Sequence, residues 1–413
     1  MTTVTLWRNR DFRRIWGAGT IGATGAEIGE LALPVLALVT IGATAEELSW
    51  VRTATFLPYL LLTLWVGVLV DRQRRRPLMV TAECVSGLVL LTVAGMALIG
   101  LLTIETLVAA AFVLGAMSVV HTLADFSFLP QVVDREQLPT ANAHVTATQS
   151  VIGVAGSGVG GALVQVLTAP LAVALNGVSR LVAATLLSRV STIEQPPPAQ
   201  SGSPVKQAIE GLTTLLRHRV VRALAAEATV WNLGSEIFTL ALTVAIISNR
   251  SDGPLALGLV LGAGGVGAAL GATISARLTD RFGYGHSLIA ALLLGNTAPL
   301  IGVLCAPDTT LTSLITLGGA YLVSGLGIGV ANSQAVTVRQ LTVPEPQRGR
   351  VNAAYRLLSW GALSVGAILA GLATNQLGTH TAAVLGTALM ALSTLPVALS
   401  PVRRMRKLSD QAA

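Results

Sequence analysis

Residues 67–78 read GVLVDRQRRRPL, and the fold turns on how this stretch is parsed. An apolar run reaches Asp71, arginines follow at Arg72, Arg74, Arg75 and Arg76, and apolar sequence resumes at Leu78. The apolar blocks on either side are each roughly 20 residues long, the length that carries a helix across a bilayer. The stretch is therefore a loop between two membrane-spanning helices, loaded with positive charge. Outward from it the same alternation recurs, giving about twelve spans at roughly 15–39, 49–70, 78–101, 106–130, 142–167, 170–188, 223–248, 254–278, 286–304, 311–338, 351–377 and 381–399. Composition agrees. The chain is 52% hydrophobic and 11% charged, with a mean hydropathy of +0.70; soluble domains carry about 25% charged residues.

A net charge of +7 invites a nucleic-acid reading, which the distribution of that charge rejects. With both termini placed in the cytoplasm, the basic residues gather in cytoplasmic segments. They include Arg8, Arg10, Arg13 and Arg14; the loop arginines; Arg217, Arg219 and Arg222; and Arg403, Arg404, Arg406 and Lys407. Arg52 and Arg250 fall on the other side, among Glu46, Glu47, Glu105, Asp252 and Asp308, while Arg180 and Arg356 lie within spans. This is the positive-inside pattern. No removable signal peptide is expected at the N-terminus. Lysine occurs only at Lys206 and Lys407, a bias associated with a GC-rich bacterial genome, so a bacterial plasma membrane is the expected location. Cys84 and Cys305 are expected to stay unpaired.

Residues 191–216 interrupt the pattern with QPPPAQSGSPVKQAIEG (195–211) and contain no long apolar run. They read as a cytoplasmic linker ending in a short surface helix. The chain divides into a six-span half at 1–190, a linker at 191–219 and a second six-span half at 220–413. The halves resemble each other. GAEIGELAL at 25–33 matches GSEIFTLAL at 234–242, an offset of 209 that superposes Glu27 on Glu236 and also carries Asp71-Arg72 onto Asp280-Arg281. An offset of 210 carries Asn142, Gly156 and Gly161 onto Asn352, Gly366 and Gly371. An even number of spans per repeat keeps both halves in one orientation. The expected fold is an all-α membrane protein of twelve helices in two parallel six-helix repeats.

GVLVDRQRRR resembles the signature loop of the major facilitator superfamily, G-x-x-x-D-R-x-G-R-R, with Gly67, Asp71, Arg72, Arg75 and Arg76 in place and Arg74 at the second glycine. A weaker copy, ARLTDRFG, ends at Gly283 and has Ala276 at the first glycine. The chain is most similar to the bacterial drug, macrolide and siderophore exporter branch, through WRNRDFRRIW at 7–16 and RGRVNAAYRLLSWG at 348–361. Asp71 ends its helix where it can accept hydrogen bonds from another helix N-terminus. The resemblance implies that this partner is the eleventh span, beginning near Arg350, and that the contact latches an outward-open state. It also implies that Asp125 in the fourth span pairs with the loop arginines; His121 lies one turn away on the same face. GVAGSGVGG at 153–161 is similar to the family's antiporter motif, with Gly156, Gly160 and Gly161 matching and Ser157 in place of proline. Close helix packing accounts for those glycines as well. Asn142 and Asn352 read as helix caps.

Glu27 and Glu236 lie near mid-membrane at matching depths, and Glu30 lies one turn beyond Glu27. A charge at the bilayer centre costs roughly 2.5–3.5 kcal/mol on insertion scales. The resemblance implies that the first and seventh spans face one central cavity, where these carboxylates would have water and exchange protons near neutral pH. The other reading is that Arg180 or Arg356 neutralises them. Glu83 and Glu227 lie nearer the cytoplasmic interface and read as members of anchoring ion pairs. Trp231 and Trp360 lie inside their spans and suit either substrate stacking or packing.

The composite expectation is a secondary transporter that exports an amphiphilic small molecule in exchange for protons. No phosphate loop, zinc spacing or nucleophile elbow occurs, so no cofactor, metal or enzymatic activity is expected. The expected partners are a small-molecule substrate, protons and the lipid bilayer, with no nucleic acid, and the chain is expected to be monomeric. Import of a polar nutrient, or a non-transporting sensor on the same fold, are the alternatives. Topology has a direct check. A cysteine placed at Ser201, in a background lacking Cys84 and Cys305, should resist membrane-impermeant thiol reagents in intact cells and react after permeabilisation. External labelling overturns the orientation.

Overall fold

The computed structural model describes residues 6–134, 137–192, 194, 204–343 and 345–405, and the regular elements among them are helical. A bilayer core offers no water to satisfy backbone N–H and C=O groups, so each apolar run closes its own hydrogen bonds as a helix. The first span is α1, Arg10–Val35, extended by a π-helical stretch Leu36–Ile41. The second is α2, Ala45–Leu61, and α3, Thr63–Arg72. Then come α4 Arg75–Leu98, α5 Ile104–Val132, α6 Leu138–Leu167 and α7 Ala169–Ser188. The surface helix is α8, Pro204–Arg217. The second half comprises α9 Arg219–Asn249, α10 Gly253–Phe282, α11 Tyr284–Cys305, α12 Leu311–Thr342, α13 Glu345–Leu377, and α14 Thr379–Leu392 continued by α15 Leu395–Ala398.

Eleven helical segments among the described residues are long and apolar enough to cross a membrane. The second span differs from the sequence expectation because it is broken: α2 has 17 residues and α3 has 10, with Leu62 at φ −106° between them. The interruption is confined to that residue: the Leu62 N–H still donates to the Pro58 carbonyl and the Val66 N–H to the Leu62 carbonyl, both at 2.8 Å. The asparagine caps also need correcting. Asn142 and Asn352 sit inside α6 and α13, beyond their first turns, because both helices start earlier than the apolar runs do. Cys84 and Cys305 are free thiols.

Buried apolar side chains fall into clusters that describe the arrangement of the halves. One cluster joins both, using Ile28, Leu31, Val35, Leu36, Leu48, Val51, Leu90, Leu107 and Val164 from the first and Ile237, Phe238, Leu240, Ile246, Leu257, Leu314 and Ala370 from the second. All of these lie toward the face opposite the arginine-rich loops. Toward the basic face the cores are separate. Phe12, Val70, Met79, Phe128 and Leu187 pack within the first half, and Val220, Leu224, Leu288, Val338 and Val397 within the second. The halves are therefore closed on each other at the face opposite the basic one.

Two seams make that closure, α6 against α10 and α2 against α13, and the repeat relates them. A Cβ on Gly161 would lie 2.5 Å from the Pro254 carbonyl and 3.0 Å from Gly258 Cα. A Cβ on Gly371 would collide with Ser49 Oγ. The sequence offsets carry Gly161 onto Gly371 and Ser49 onto Gly258, so these are one contact used twice. Backbone approach this close requires small residues. Gly258→Val should strain the α6–α10 seam, where its Cβ meets the Ser157 carbonyl at 2.5 Å, by about 1–3 kcal/mol. The expected result is a lower thermal midpoint together with greater thiol accessibility on the closed face. An unchanged midpoint and accessibility would show that the seam is loose.

Candidate functional site

α1, α2 and α9 bring three charges together near the closed face. Arg52 on α2 donates from Nε and Nη2 to both carboxylate oxygens of Glu236 on α9, at 2.6 and 2.9 Å, and from Nη1 to Glu30 on α1 at 2.6 Å. Glu236 is 3% exposed, Arg52 13% and Glu30 56%. The fork geometry of a guanidinium suits this bidentate grip, and the Phe56 ring lies 5.0 Å from the guanidinium. The bond crosses between halves. Two sequence expectations change here. Arg52, counted in the sequence with the charges of the far side, lies within the second span, because α2 begins at Ala45 and carries it two turns inward. Nor do Arg180 or Arg356 neutralise Glu236.

Glu27 is placed differently from its repeat partner. Its Cβ packs on α6, where a Cβ on Gly156 would lie 2.7 Å away, just as one on Gly366 would lie 3.0 Å from Glu236 Cβ. Gly160 faces the Glu27 carbonyl. The antiporter-like glycines thus let α6 approach α1 and α10. Among the described residues Glu27 has no ion pair, and its nearest electrostatic neighbour is Glu30. The offset that maps Glu27 onto Glu236 maps Arg52 onto Leu261, so the second cation is missing by sequence.

A second charged cluster lies inside the first half. Glu83 on α4, 3% exposed, accepts from Arg180 Nη1 at 3.1 Å and lies 3.2 Å from His121 Nε2. Asp125 on α5 lies within electrostatic range of both Glu83 and His121. Arg180 thus belongs to Glu83. The loop arginines do not meet Asp125. The N–H groups of Arg75 and Arg76 donate to the Glu194 carboxylate at 2.5 and 2.7 Å, and the Arg76 side chain donates to the Leu187 and Ser188 carbonyls. The Asp71 side chain lies outside the described residues, so the latch it was expected to form is not placed. Gly67 faces open space, Arg72 is exposed, and Asp280 and Arg281 are exposed at the end of α10 with no ion pair among the described residues. Near the start of α13, Glu210 on α8 pairs with Arg350 at 2.7 Å and Gly211 packs on the Arg350 backbone.

Near mid-membrane, Trp360 on α13 meets Tyr59 on α2 edge to face at 4.9 Å. The Tyr59 hydroxyl shares a hydrogen bond with Ser118 at 2.7 Å. Arg356 lies 5.8 Å from the Trp360 ring and pairs with no carboxylate among the described residues. Trp231 packs against the shared core with its indole N–H unpartnered. Among the described residues Glu227 forms no ion pair, contrary to expectation, and it accepts from the Asn296 amide at 3.4 Å.

The family described as "Transmembrane secretion effector" matches residues 1–413. The chain belongs to this family of the major facilitator superfamily. It is a multi-pass membrane transporter of small molecules, and solved transporters share its fold. A bacterial homologue of the iron transporter ferroportin in the inward-facing state aligns with a TM-score of 0.73 at 16% identity, covering 94% of this chain and 98% of that one. Such a homologue in the outward-facing state gives 0.63 at 18% identity, with the same coverage. The nucleoside transporter NupG gives 0.71 at 10% identity, also covering 94% and 98%. The arabinose-proton symporter of Bacillus subtilis (strain 168) is 31% identical over 127 residues, 31% of this chain and 26% of that protein. An uncharacterised transporter of the same superfamily from Sinorhizobium fredii (strain NBRC 101917 / NGR234) is 25% identical over 254 residues, 60% of each chain. The chain thus spans 26% and 60% of these curated relatives.

Arg52 went unrecognised in the sequence because it was counted with the charges of the far side, although the span at 49–70 contains it and WVRTATF (50–56) sets one arginine in an apolar run. Removing one partner of a buried pair costs about 3–5 kcal/mol, whereas replacing both with apolar residues is near neutral. Arg52→Leu alone should therefore lower the thermal midpoint strongly, and Arg52→Leu combined with Glu236→Leu should recover most of the loss. A double variant as unstable as the single one shows that the bond is incidental.

Proposed function

We propose that this transporter exports an amphiphilic small molecule in exchange for protons, by alternating access in a bacterial plasma membrane with both ends in the cytoplasm. Residues 1–190 and 220–413 form the two moving bodies, joined by the linker at 191–219. In this reading the basic face is cytoplasmic and the molecule is closed toward the outside. The better superposition on the inward-facing ferroportin homologue than on the outward-facing one supports that state. The family description, a secretion effector, supports the outward direction.

One observation carries the proton coupling: Glu27, partly buried in α1, has no ion pair among the described residues, while its repeat partner Glu236 is clamped by Arg52. A carboxylate in that position is neutral when protonated and costly when ionised, so its proton occupancy follows access to water. Glu27 is assigned the proton, and Glu236 and Glu30 are assigned with Arg52 to the external gate. Opening outward draws α1 and α2 from α9 and separates the three charges. Trp231, Trp360 and Arg356 are assigned to substrate contact. Import by symport is the second reading, favoured by the match to an arabinose-proton symporter.

Proteoliposomes separate these readings. With a panel of amphiphilic fluorescent dyes and an imposed pH gradient, the wild type should move dye against the proton flow, which an internal pH indicator records. Glu27→Gln should abolish the gradient-driven component while dye binding persists. Dye and protons moving the same way make it a symporter, and full driven transport by Glu27→Gln removes Glu27 from coupling.

A further inference from the structure

A cavity of about 570 Å³ opens at the basic face of the second half, away from the charges described above. Arg219 and Arg222 line it from the first turn of α9, and Arg403 and Arg404 from the 3₁₀ turn Pro401–Arg404 after α15. Pro396 and Leu399 complete its rim. We propose that this cavity is a binding site for the headgroup of an anionic phospholipid.

The arginines are set there by packed structure. Val402 is fully buried in the core of the second half. The Gly285 N–H donates to the Met405 carbonyl at 2.8 Å, and a Cβ on Gly285 would collide with the backbone of Val402 and Arg403. The Ser400 hydroxyl accepts from Val402 N–H at 3.2 Å and closes the turn. On the other wall, Arg222 Nη1 donates to the Leu216 carbonyl at 3.3 Å, which leaves its remaining donors free to point elsewhere. None of the four arginines has a carboxylate partner among the described residues, all four are exposed, and all four line the one cavity, which concentrates positive charge there. A bound anion neutralises it.

The positive-inside rule accounts for the sign of these residues. It does not account for two segments some 180 residues apart in sequence delivering arginine pairs to the same cavity. Depth selects the ligand. The cavity lies where the last span, Thr379–Ala398, runs out and α9 begins, which is headgroup level. Leu399 at its rim is 77% exposed, and Leu395 on the same turn of chain is 50% exposed, apolar surface suited to acyl chains rather than to water. Charge for the phosphate, exposed leucine for the chains and a volume within the range of small-ligand sites together fit a phospholipid.

The test uses the full chain purified in a neutral detergent, with lipid adducts counted by native mass spectrometry and thermal midpoints measured in parallel. Phosphatidylglycerol should bind saturably and raise the midpoint, and phosphatidylcholine should do neither. Arg219→Gln with Arg222→Gln, and separately Arg403→Gln with Arg404→Gln, should each weaken phosphatidylglycerol binding about thirtyfold, at roughly fivefold per arginine. The two pairs are independent, so either decides the matter if the other misfolds. Arg403→Lys with Arg404→Lys keeps the charge and should retain most of the binding. Arg72→Gln with Arg74→Gln, elsewhere on the basic face, should leave it unchanged. Equal loss in that control pair, or undiminished binding in both cavity pairs, overturns the site. Inorganic phosphate giving the same saturable midpoint shift as phosphatidylglycerol makes the ligand a soluble anion and overturns the lipid.

Discussion

Arg52 has left water in the company of one carboxylate from its own half and one from the other. Arg52 and Glu236 each gave up several kcal/mol of hydration to reach that position, while Glu30 stays largely in water, and the attraction between the buried pair returns that cost only while the geometry holds. Drawing the halves apart at this face strands a buried anion on α9 unless water or a proton arrives with the movement. Much of the surrounding structure serves to keep the three groups in register: a shared apolar core on this face, helix α2 started by a Thr44–Glu47 capping box, and a Phe56 ring beside the guanidinium.

The internal repeat sets the rest of the closed face. Each half lays a glutamate over a glycine, Glu27 on Gly156 and Glu236 on Gly366, and each offers a small-residue seam to the other. Against that symmetry the exchange of Arg52 for Leu261 is decisive. In this structure one glutamate has a counter-ion and its twin has none among the described residues. Duplication supplies two equivalent carboxylates, and a single side chain differentiates them.

How much of this was legible in sequence depends on the range of the interaction. Span positions, the duplicated glutamates and the glycine pairs could be read, because hydrophobic length and repeat offset are local or periodic signals. Arg52 could not be paired with Glu236 in advance, since nothing in the linear pattern records which helix faces which across 184 residues. The loop arginines misled for a related reason. Their motif implies a partner in Asp125, but the backbone N–H groups at the start of α4 are taken by Glu194, from the stretch just past α7. Helix starts were placed too late at Asn142 and Asn352 because an apolar window cannot see the polar turns that precede it.

The break at Leu62 gives the second span a mechanical property that an unbroken helix lacks. Below the break, α3 carries the arginine-rich loop; above it, α2 carries Arg52. The two pieces stay joined by the Leu62 N–H bond to the Pro58 carbonyl and the Val66 N–H bond to the Leu62 carbonyl. If that one-residue junction bends in the proposed transport cycle, the lower piece turns toward the second half while the upper one keeps its hold on Glu236. Closing the basic face would then part no ion pair, and the electrostatic cost would fall on opening the outer side.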